Sequence, residues 1–553
     1  MNVQICLLSL AVASGLAMSS SVVAADKMSA EEAAEAAAIK RAAVISRATA
    51  FINGSASVAA RRANADAFEA NDAIVDANGT EHVRFQRTYN GLPVIGGDFV
   101  VHSRNDEVRK ISQTLGTSNR PGTTPRISSD DAIVEAGTRF ESRFIDAPSS
   151  RLVIYARNTS PVLAHEVIYK GIKADQTPTE MHYFVDARSG KILGQWDMIH
   201  TARPGPGGGS VACTEATGTG KTLSAGNVVI DTAKCGSQYQ LKDLSRGGGH
   251  TSNMGMRTAG LGNDFVSSVN TWGNNQLNNA QTVAAEAHYG VATTWDYYKN
   301  VFDRLGIAND GVGALSRVHY GRNYQNAFWD DGCFCMTFGD GDNGASILPL
   351  VALDIAGHEM THGVTSRSAN LIYAGESGGL NEATSDIFGT MVEYYANNAT
   401  DVADYVIGEE LFPNNANKYK AIRWMFKPSL DGASPDCYAP DLGDIDVHYS
   451  SGVANHFFYL LAEGAVVPAG FGTGTAKALT PASLVCNGNT TITGIGRSAA
   501  QQIWYRALTI YMTSDTDYAG ARAATLSATT DLYPGDTAKY NAVAAAWSAV
   551  SVN

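Results

Sequence analysis

Two histidines four residues apart, His358 and His362, flank Glu359 in the pentapeptide HEMTH. On a helix, positions i and i+4 share one face about a turn apart, so both imidazoles could reach a single ion at about 2.1 Å. Glu359 sits about 100° further round the helix. From there it can reach a water beside the ion without being a ligand. Metal-assisted hydrolysis needs this arrangement: a Lewis acid lowers the pKa of water and a carboxylate takes the proton. The pentapeptide alone has a plain alternative, two surface histidines on an ordinary helix, and it arises by chance on the order of once in a hundred such chains. Its neighbourhood favours the metal. A catalytic zinc takes three protein ligands and keeps one open position. The stretch GGLNEATSDIFG supplies Glu382 near the start of the next helical run. Asp386 follows at i+4 on the same face, where it suits a carboxylate holding the far nitrogen of a histidine ring. Asn381, beside Glu382, is a further candidate for that supporting layer.

These residues need two packed helices, and the chain is long enough to build several domains around them. Its 553 residues predict two to four domains, and 44% hydrophobic residues suffice for real cores. A net charge of −13 makes nucleic acid a poor partner and suits carboxylate binding of hard cations. The opening MNVQICLLSLAVASGLAMSSSVVAADKMSA reads as a signal peptide over 1–25, with small residues at Val23-Ala24-Ala25, although no Lys or Arg precedes the apolar run. No later segment is long and apolar enough to span a membrane.

Residues 26–75, rich in Ala, Glu and Lys, read as helix. From about 80, HVRFQRTYNGLPVIGGDFVVHSRN reads as a β-hairpin around Asn90-Gly91. DDAIVEAGTRFESRF reads as helix, and SRLVIYAR, LAHEVIYKGI and MHYFVDARSGKILGQWD read as strands. The Pro- and Gly-rich TARPGPGGGSVACTEATGTG is the strongest linker candidate. Beyond it the chain is β-like and rich in Gly and Asn to about 350. Helical patterns lie at 282–305, 350–366, 378–398, 450–466, 496–514 and 537–549. TGTGKT at 217–222 is not a phosphate loop, because Glu215 stands where the motif needs Gly and no apolar strand precedes it. Six cysteines remain after the signal. They allow fifteen connectivities, among which sequence does not choose; the least strained guess joins Cys213 to Cys235 and Cys437 to Cys486, which leaves Cys333 and Cys335 as a tight bridge or two free thiols.

HEMTH together with LIYAGESGGLNEATSD resembles the thermolysin-like metallopeptidases, the gluzincin group that includes vibriolysin- and elastase-type secreted proteases. VHYGRNYQNAFWDDGCFCMTFGDGD resembles that family's substrate-edge strand, DVHYSSGVANHFFYLLAEG its second catalytic segment, and AHYGVATTWDYYKNVF its helix before the cleft. FQRTYNGLPVIGGDFVVH resembles the fungalysin/thermolysin propeptide module, and LAHEVIYKG with HYFVDARSGKILGQWD the PepSY module. The resemblance implies an α+β protein: propeptide modules at 26–120 and 121–200, a β-rich lobe at 201–355, a helical lobe at 356–553, and zinc in the cleft between the lobes.

Residue by residue, the resemblance implies that His358, His362 and Glu382 bind zinc and that Glu359 is the general base. His448 and Tyr373 would hydrogen-bond the developing oxyanion, with Asp446 orienting His448. Arg423 would grip the substrate carbonyl beyond the scissile bond. Asn326 and the backbone of Ala327 would align the substrate strand. Ile347, Ile355 and Ile422 would line an apolar pocket for the residue after the cut, giving a graded preference for Leu, Phe, Ile or Val. Asp354, Glu393 and Asp404, with the Val406 carbonyl, match one structural calcium site, while Thr390 stands where relatives carry another carboxylate.

The expectation is a secreted, monomeric zinc endopeptidase acting on proteins and peptides. It would be made as a zymogen whose own propeptide assists folding and blocks the cleft until cleavage near 198–212, and it would be exported through a bacterial periplasm. Two rivals are a binding protein on the same fold, which needs a broken constellation, and another zinc hydrolase such as an amidase or lipase, which lacks the substrate-edge strand and Arg423.

Overall fold

The computed structural model describes residues 30–198, 213–415 and 418–553. The expected signal peptide and most of the expected linker lie outside the described residues.

The N-terminal part is built on a ten-stranded sheet. Helix α1 (Ala30–Asn53) lays Val44, Ala48 and Ile52 against it at helical spacing, over Val83, Phe85, Phe99 and Val101. The hairpin of strands Glu81–Tyr89 and Leu92–Ile95 turns at Asn90 and Gly91, both at positive φ (49° and 78°), as a tight two-residue turn requires. Residues 66–75 form a strand rather than the expected continuation of the helix. Their Ala- and Asp-rich sequence is weak helix evidence, and nine residues of it find antiparallel partners in Glu81–Tyr89. Helix α2 (Ser129–Gly137) is capped reciprocally by Ser128 and Asp131. It ends before the sequence pattern does, and Arg143–Phe144 pair as a short strand. Strands Ser149–Tyr155, Val162–Ile172, Pro178–Asp186 and Ile192–Asp197 complete the sheet.

From Cys213 a five-stranded and a six-stranded sheet flank helix α3 (Ala280–Phe302). The TGTGKT segment runs into strand Cys213–Lys221. Strand Ala327–Asp330 ends the order of the second sheet and leaves one edge unpaired.

The remaining helices are α4 (Leu353–Ser366), α5 (Gly375–Ala396), the single turn α6 (Val447–Ser450), α7 (Gly452–Glu463), α8 (Arg497–Arg506), α9 (Tyr518–Leu532) and α10 (Thr537–Ala549). α9 had no expectation from sequence: its Ala, Thr and Gly residues give little apolar periodicity, and it is ordered by burial of Tyr518, Ala521, Ala524 and Ala528. Helices α4 and α5 lie at the centre. α4 is buried from Leu353 to Thr365 and α5 from Ser377 to Glu393. Glycine allows their approach, since a Cβ on Gly357 would lie 2.9 Å from Gly389 Cα and one on Gly389 2.5 Å from the Asp354 carbonyl. Disulfides join Cys213 to Cys235, Cys437 to Cys486 and Cys333 to Cys335. The first two are the expected pairs, and the third resolves the open alternative as a bridge. Among the described residues no helix is long and apolar enough to cross a membrane.

Candidate active site

Helix α4 presents His358 and His362 one turn apart, and α5 brings Glu382 to them across the glycine contact. The two Nε2 atoms are 3.0 Å apart, and Glu382 oxygens lie 3.4 Å from each. A tetrahedral site with bonds of about 2.1 Å has ligand-to-ligand edges of roughly 3.4 Å, so this donor set fits a zinc ion. Glu382 Oε2 is buried and makes no hydrogen bond, as a ligand atom facing a cation would.

The outer layer orients both rings. Asp386 Oδ1 is 2.9 Å from His358 Nδ1, and Asn381 Oδ1 is 2.8 Å from His362 Nδ1. Each leaves the Nε2 lone pair facing inward. Asp386 also accepts two hydrogen bonds from Arg423 and one from Asn455 Nδ2. Asn455 was not singled out from sequence; its place in the apolar run of α7 is the signal, because a buried amide there needs partners. Against the cost of burial, Arg423 and His358 hold Asp386 below the usual carboxylate range. Against the same cost, the charges of Glu382 and Asp386 push His358 up to about 10. An ion between the histidines would replace that proton.

Glu359 is 6% exposed, its Oε2 makes no hydrogen bond, and burial raises its pKa. A carboxylate so placed accepts a proton more readily than one in water. Tyr373 donates its hydroxyl hydrogen to Glu382 and stands 3.2 Å from His448 Nε2. Asp446 Oδ1 is 2.7 Å from His448 Nδ1 and also accepts from the His448 backbone N–H. The nearby Glu382 carboxylate raises the His448 pKa despite desolvation, and the Asp446 hydrogen bond adds to this. An imidazolium there would point Nε2–H into the cleft.

A cleft of about 1320 Å³ runs past these groups. Asn326, Ala327, Ile347, Ile355, Ile422 and Arg423 all line it. Ala327 opens the edge strand, and Asn326 Oδ1 accepts from its N–H. Arg423 is 8% exposed and clamped on Asp386, so its remaining donors are aimed by a buried carboxylate. The N-terminal part contributes to the same walls through Thr177, Gln195, Trp196 and Asp197. Its Arg157 bonds Asp515 at 2.5 Å and Ser377 Oγ at 2.8 Å, and it donates to the Ala374 carbonyl next to Tyr373.

The chain matches the thermolysin metallopeptidase catalytic domain over residues 217–366, the thermolysin metallopeptidase α-helical domain over 369–552, and the fungalysin/thermolysin propeptide motif over 66–115. It is 35% identical over 495 residues to thermolysin of Bacillus sp. (strain EA1), covering 86% of this chain and 84% of that one. The chain belongs to the thermolysin family of zinc metalloendopeptidases. It is also 45% identical over 487 residues to the transglutaminase-activating metalloprotease of Streptomyces mobaraensis, which covers 87% of this chain but 60% of that relative's length. Among solved structures, the precursor of protealysin from Serratia proteamaculans matches at 29% identity and a TM-score of 0.42, covering 55% of this chain and 87% of that chain.

In this thermolysin-family chain a second acidic centre lies next to Asp354 of helix α4. Glu393, Glu409 and Glu410 converge with oxygens within 4.8 Å of one another. Asp354, one turn before His358, faces them but accepts from the backbone N–H groups of Gly408 and Ile355. Asp404 adjoins the centre through Lys418, whose ammonium lies 2.6 Å from both Asp404 and Glu409, and its Oδ1 accepts from the Val406 N–H. Thr390 donates toward the Met425 sulfur instead. Glu409, Glu410 and Lys418 were not singled out from sequence; the acidic pair after Ile407-Gly408 was the available signal. Both Glu393 oxygens lack hydrogen bonds, and burial together with the Asp354 and Glu409 charges raises its pKa. Burial and neighbouring carboxylates push Asp354 up to about 7 and Glu410 to about 9.

Proposed function

We propose that this chain is the zymogen of a secreted endopeptidase that cuts on the N-terminal side of bulky apolar residues. The observation that carries this reading is the convergence of His358, His362 and Glu382 beside a buried, underused Glu359. Zinc, when bound there, supplies the Lewis acidity that brings the pKa of a water near neutrality. Glu359 takes the proton of the attacking water and passes it to the leaving amine. Tyr373 and the charged His448 donate to the oxygen on which negative charge develops, and Asp446 keeps the His448 ring in place. Substrate pairs with the edge at Ala327, while Arg423 donates to the carbonyl beyond the cut. Ile347, Ile355 and Ile422 offer β-branched apolar walls, each methylene worth roughly 1–3 kcal/mol, which predicts a graded preference.

The pro-region supports the zymogen reading, because Trp196 and Thr177 line the cleft that substrate would use. We take Glu393, Glu409 and Glu410 as a calcium site bracing α4 and α5. The Streptomyces relative is described as activating a transglutaminase, which suits limited cleavage of a protein substrate.

The test is hydrolysis of a quenched peptide with an internal Gly-Leu bond, with 1,10-phenanthroline, zinc restoration and the Glu359→Gln variant. Cleavage before Leu that stops with chelator, returns with zinc and falls at least about a thousandfold in the variant supports the reading. A self-processed wild type that leaves the peptide intact overturns it in favour of a binding protein.

A further inference from the structure

Next to the cleft lies a second cavity of about 630 Å³ that the proposed chemistry does not use. Tyr419 lines both spaces. Lys477 holds that residue: its ammonium lies 5.5 Å from the Tyr419 ring centre and 5.1 Å from that of Trp424, and it donates to the Tyr419 carbonyl at 3.0 Å. From Tyr419 an unbroken series of ring contacts leads away from the zinc ligands. Tyr419 meets Phe471 at 5.7 Å, Phe471 meets Phe426 at 4.9 Å, Phe426 meets Tyr459 at 5.7 Å, Tyr459 meets Tyr405 at 4.8 Å, and Tyr405 meets Tyr394 at 5.4 Å. The series ends where Arg497 stacks on Tyr394 at 4.0 Å and pairs with Glu463.

We infer that this cavity is an extended substrate site, filled by the stretch of polypeptide that follows the scissile bond and favouring proline and aliphatic residues there. The inference rests on the peptidase reading of the cleft. Ile422, Arg423 and Trp424 line the cleft on the side assigned to residues after the cut, and Tyr419 continues that wall. A chain leaving the cleft past Tyr419 therefore enters the second cavity. The two spaces hold a chain differently. At Ala327 a strand edge reads backbone N–H and C=O groups, which proline disrupts. Beyond Tyr419 the walls mix Phe471, Tyr394, Val466, Val467 and Pro468 with the charged Asp404, Lys418, Glu463 and Arg497. Proline and aliphatic side chains pack against the ring and aliphatic part of such a wall with little loss of freedom, as in aromatic-lined grooves for polyproline-type segments. At the rim, Val466 is 56% exposed, an apolar side chain available for the same contact.

The experiment compares three quenched peptides on the self-processed enzyme. One is a six-residue peptide around a Gly-Leu bond, one adds a downstream Leu-Pro-Pro-Leu-Pro segment, and one adds a Gly-Ser segment of equal length. The expected result is a kcat/KM about tenfold higher for the proline-bearing peptide than for the other two, carried by KM. Phe471→Ala and Val466→Glu should each remove that gain while cutting the six-residue peptide within about twofold of wild type. Val466 is a surface position, so its variant tests the site even where Phe471→Ala fails to fold. A proline peptide no better than the short one, a gain that persists in Val466→Glu, or an equal gain with Gly-Ser overturns the inference. Failure to cut the six-residue peptide at all instead marks failure of the peptidase reading.

Discussion

The Nε2 atoms of His358 and His362 face each other at 3.0 Å, each about 3.4 Å from the same carboxylate. Neither ring can rotate away, because Asp386 and Asn381 hold the opposite nitrogens. Asp386→Asn keeps the shape but removes the charge that sets the His358 tautomer and anchors Arg423. The expected outcome is zinc binding weakened about 10- to 100-fold, read by competition with a chromophoric chelator. An unchanged affinity would show that Asp386 serves only Arg423.

Arg157 and Asp515 form a buried pair across the boundary between the pro-region and the helical lobe, at 8% and 7% exposure. Removing one partner leaves the other charge buried and unpaired, which typically costs about 3–5 kcal/mol. Arg157→Ala should lower the urea midpoint of the full-length Glu359→Gln chain accordingly. The fully processed enzyme, which lacks residue 157, should show no difference. Equal midpoints for the two precursors would mean that Asp515 is solvated despite its burial.

Acid should loosen the same boundary further along. His102 is buried, its Nδ1 2.7 Å from His82 Nδ1 and its ring 4.9 Å from that of Tyr511 in the helical lobe. Burial, then the neighbouring His82, Lys110, Arg84 and Arg506, hold its pKa well below the ordinary 6.5; Asp76 and Asp531 bind Arg506 rather than His102. Below pH 6.5 the unfolded chain therefore binds more protons than the folded one, and stability falls with pH. The precursor should be fully stable on this account above about pH 6.5 and progressively less so towards pH 5. Urea midpoints of the Glu359→Gln chain at pH 7.5 and 5.0 measure this, and His102→Phe should flatten the difference. A difference of the same size in His102→Phe would place the acid sensitivity elsewhere.

Calcium should bind at Glu393, Glu409 and Glu410 and raise the melting temperature. At a hundredfold excess over Kd the stabilisation is about 2.7 kcal/mol, a shift of roughly 5 °C for a lobe of this size. Because Asp354 is pushed up to about 7 and Glu410 to about 9, binding at pH 7 should also release protons into a weakly buffered solution. Glu393→Gln should abolish both effects. A calcium-induced shift that survives that variant would mean the ion binds elsewhere.

The candidate metal ligands were legible in the sequence because helical geometry turns spacing into a shared face: four residues put His358 over His362, and four more put Asp386 on the face of Glu382. Asn90-Gly91 likewise indicated a hairpin, whereas the choice of the Cys213–Cys235 and Cys437–Cys486 bridges among fifteen connectivities was made by the fold. Strand 66–75 and helix α9 were not legible, because their residues carry weak local preference and take their form from the partners they bury against. Tertiary structure alone decided which carboxylates form the acidic centre. Lys418 stands eight or more residues from Asp404, Glu409 and Glu410, the acids it binds. It also decided that Asn455 braces Asp386 and that Arg157 reaches the lobe carrying Tyr373. Local sequence fixes which side chains share a face, whereas charges and buried polar groups choose partners by distance in the folded chain, which no spacing along the sequence records.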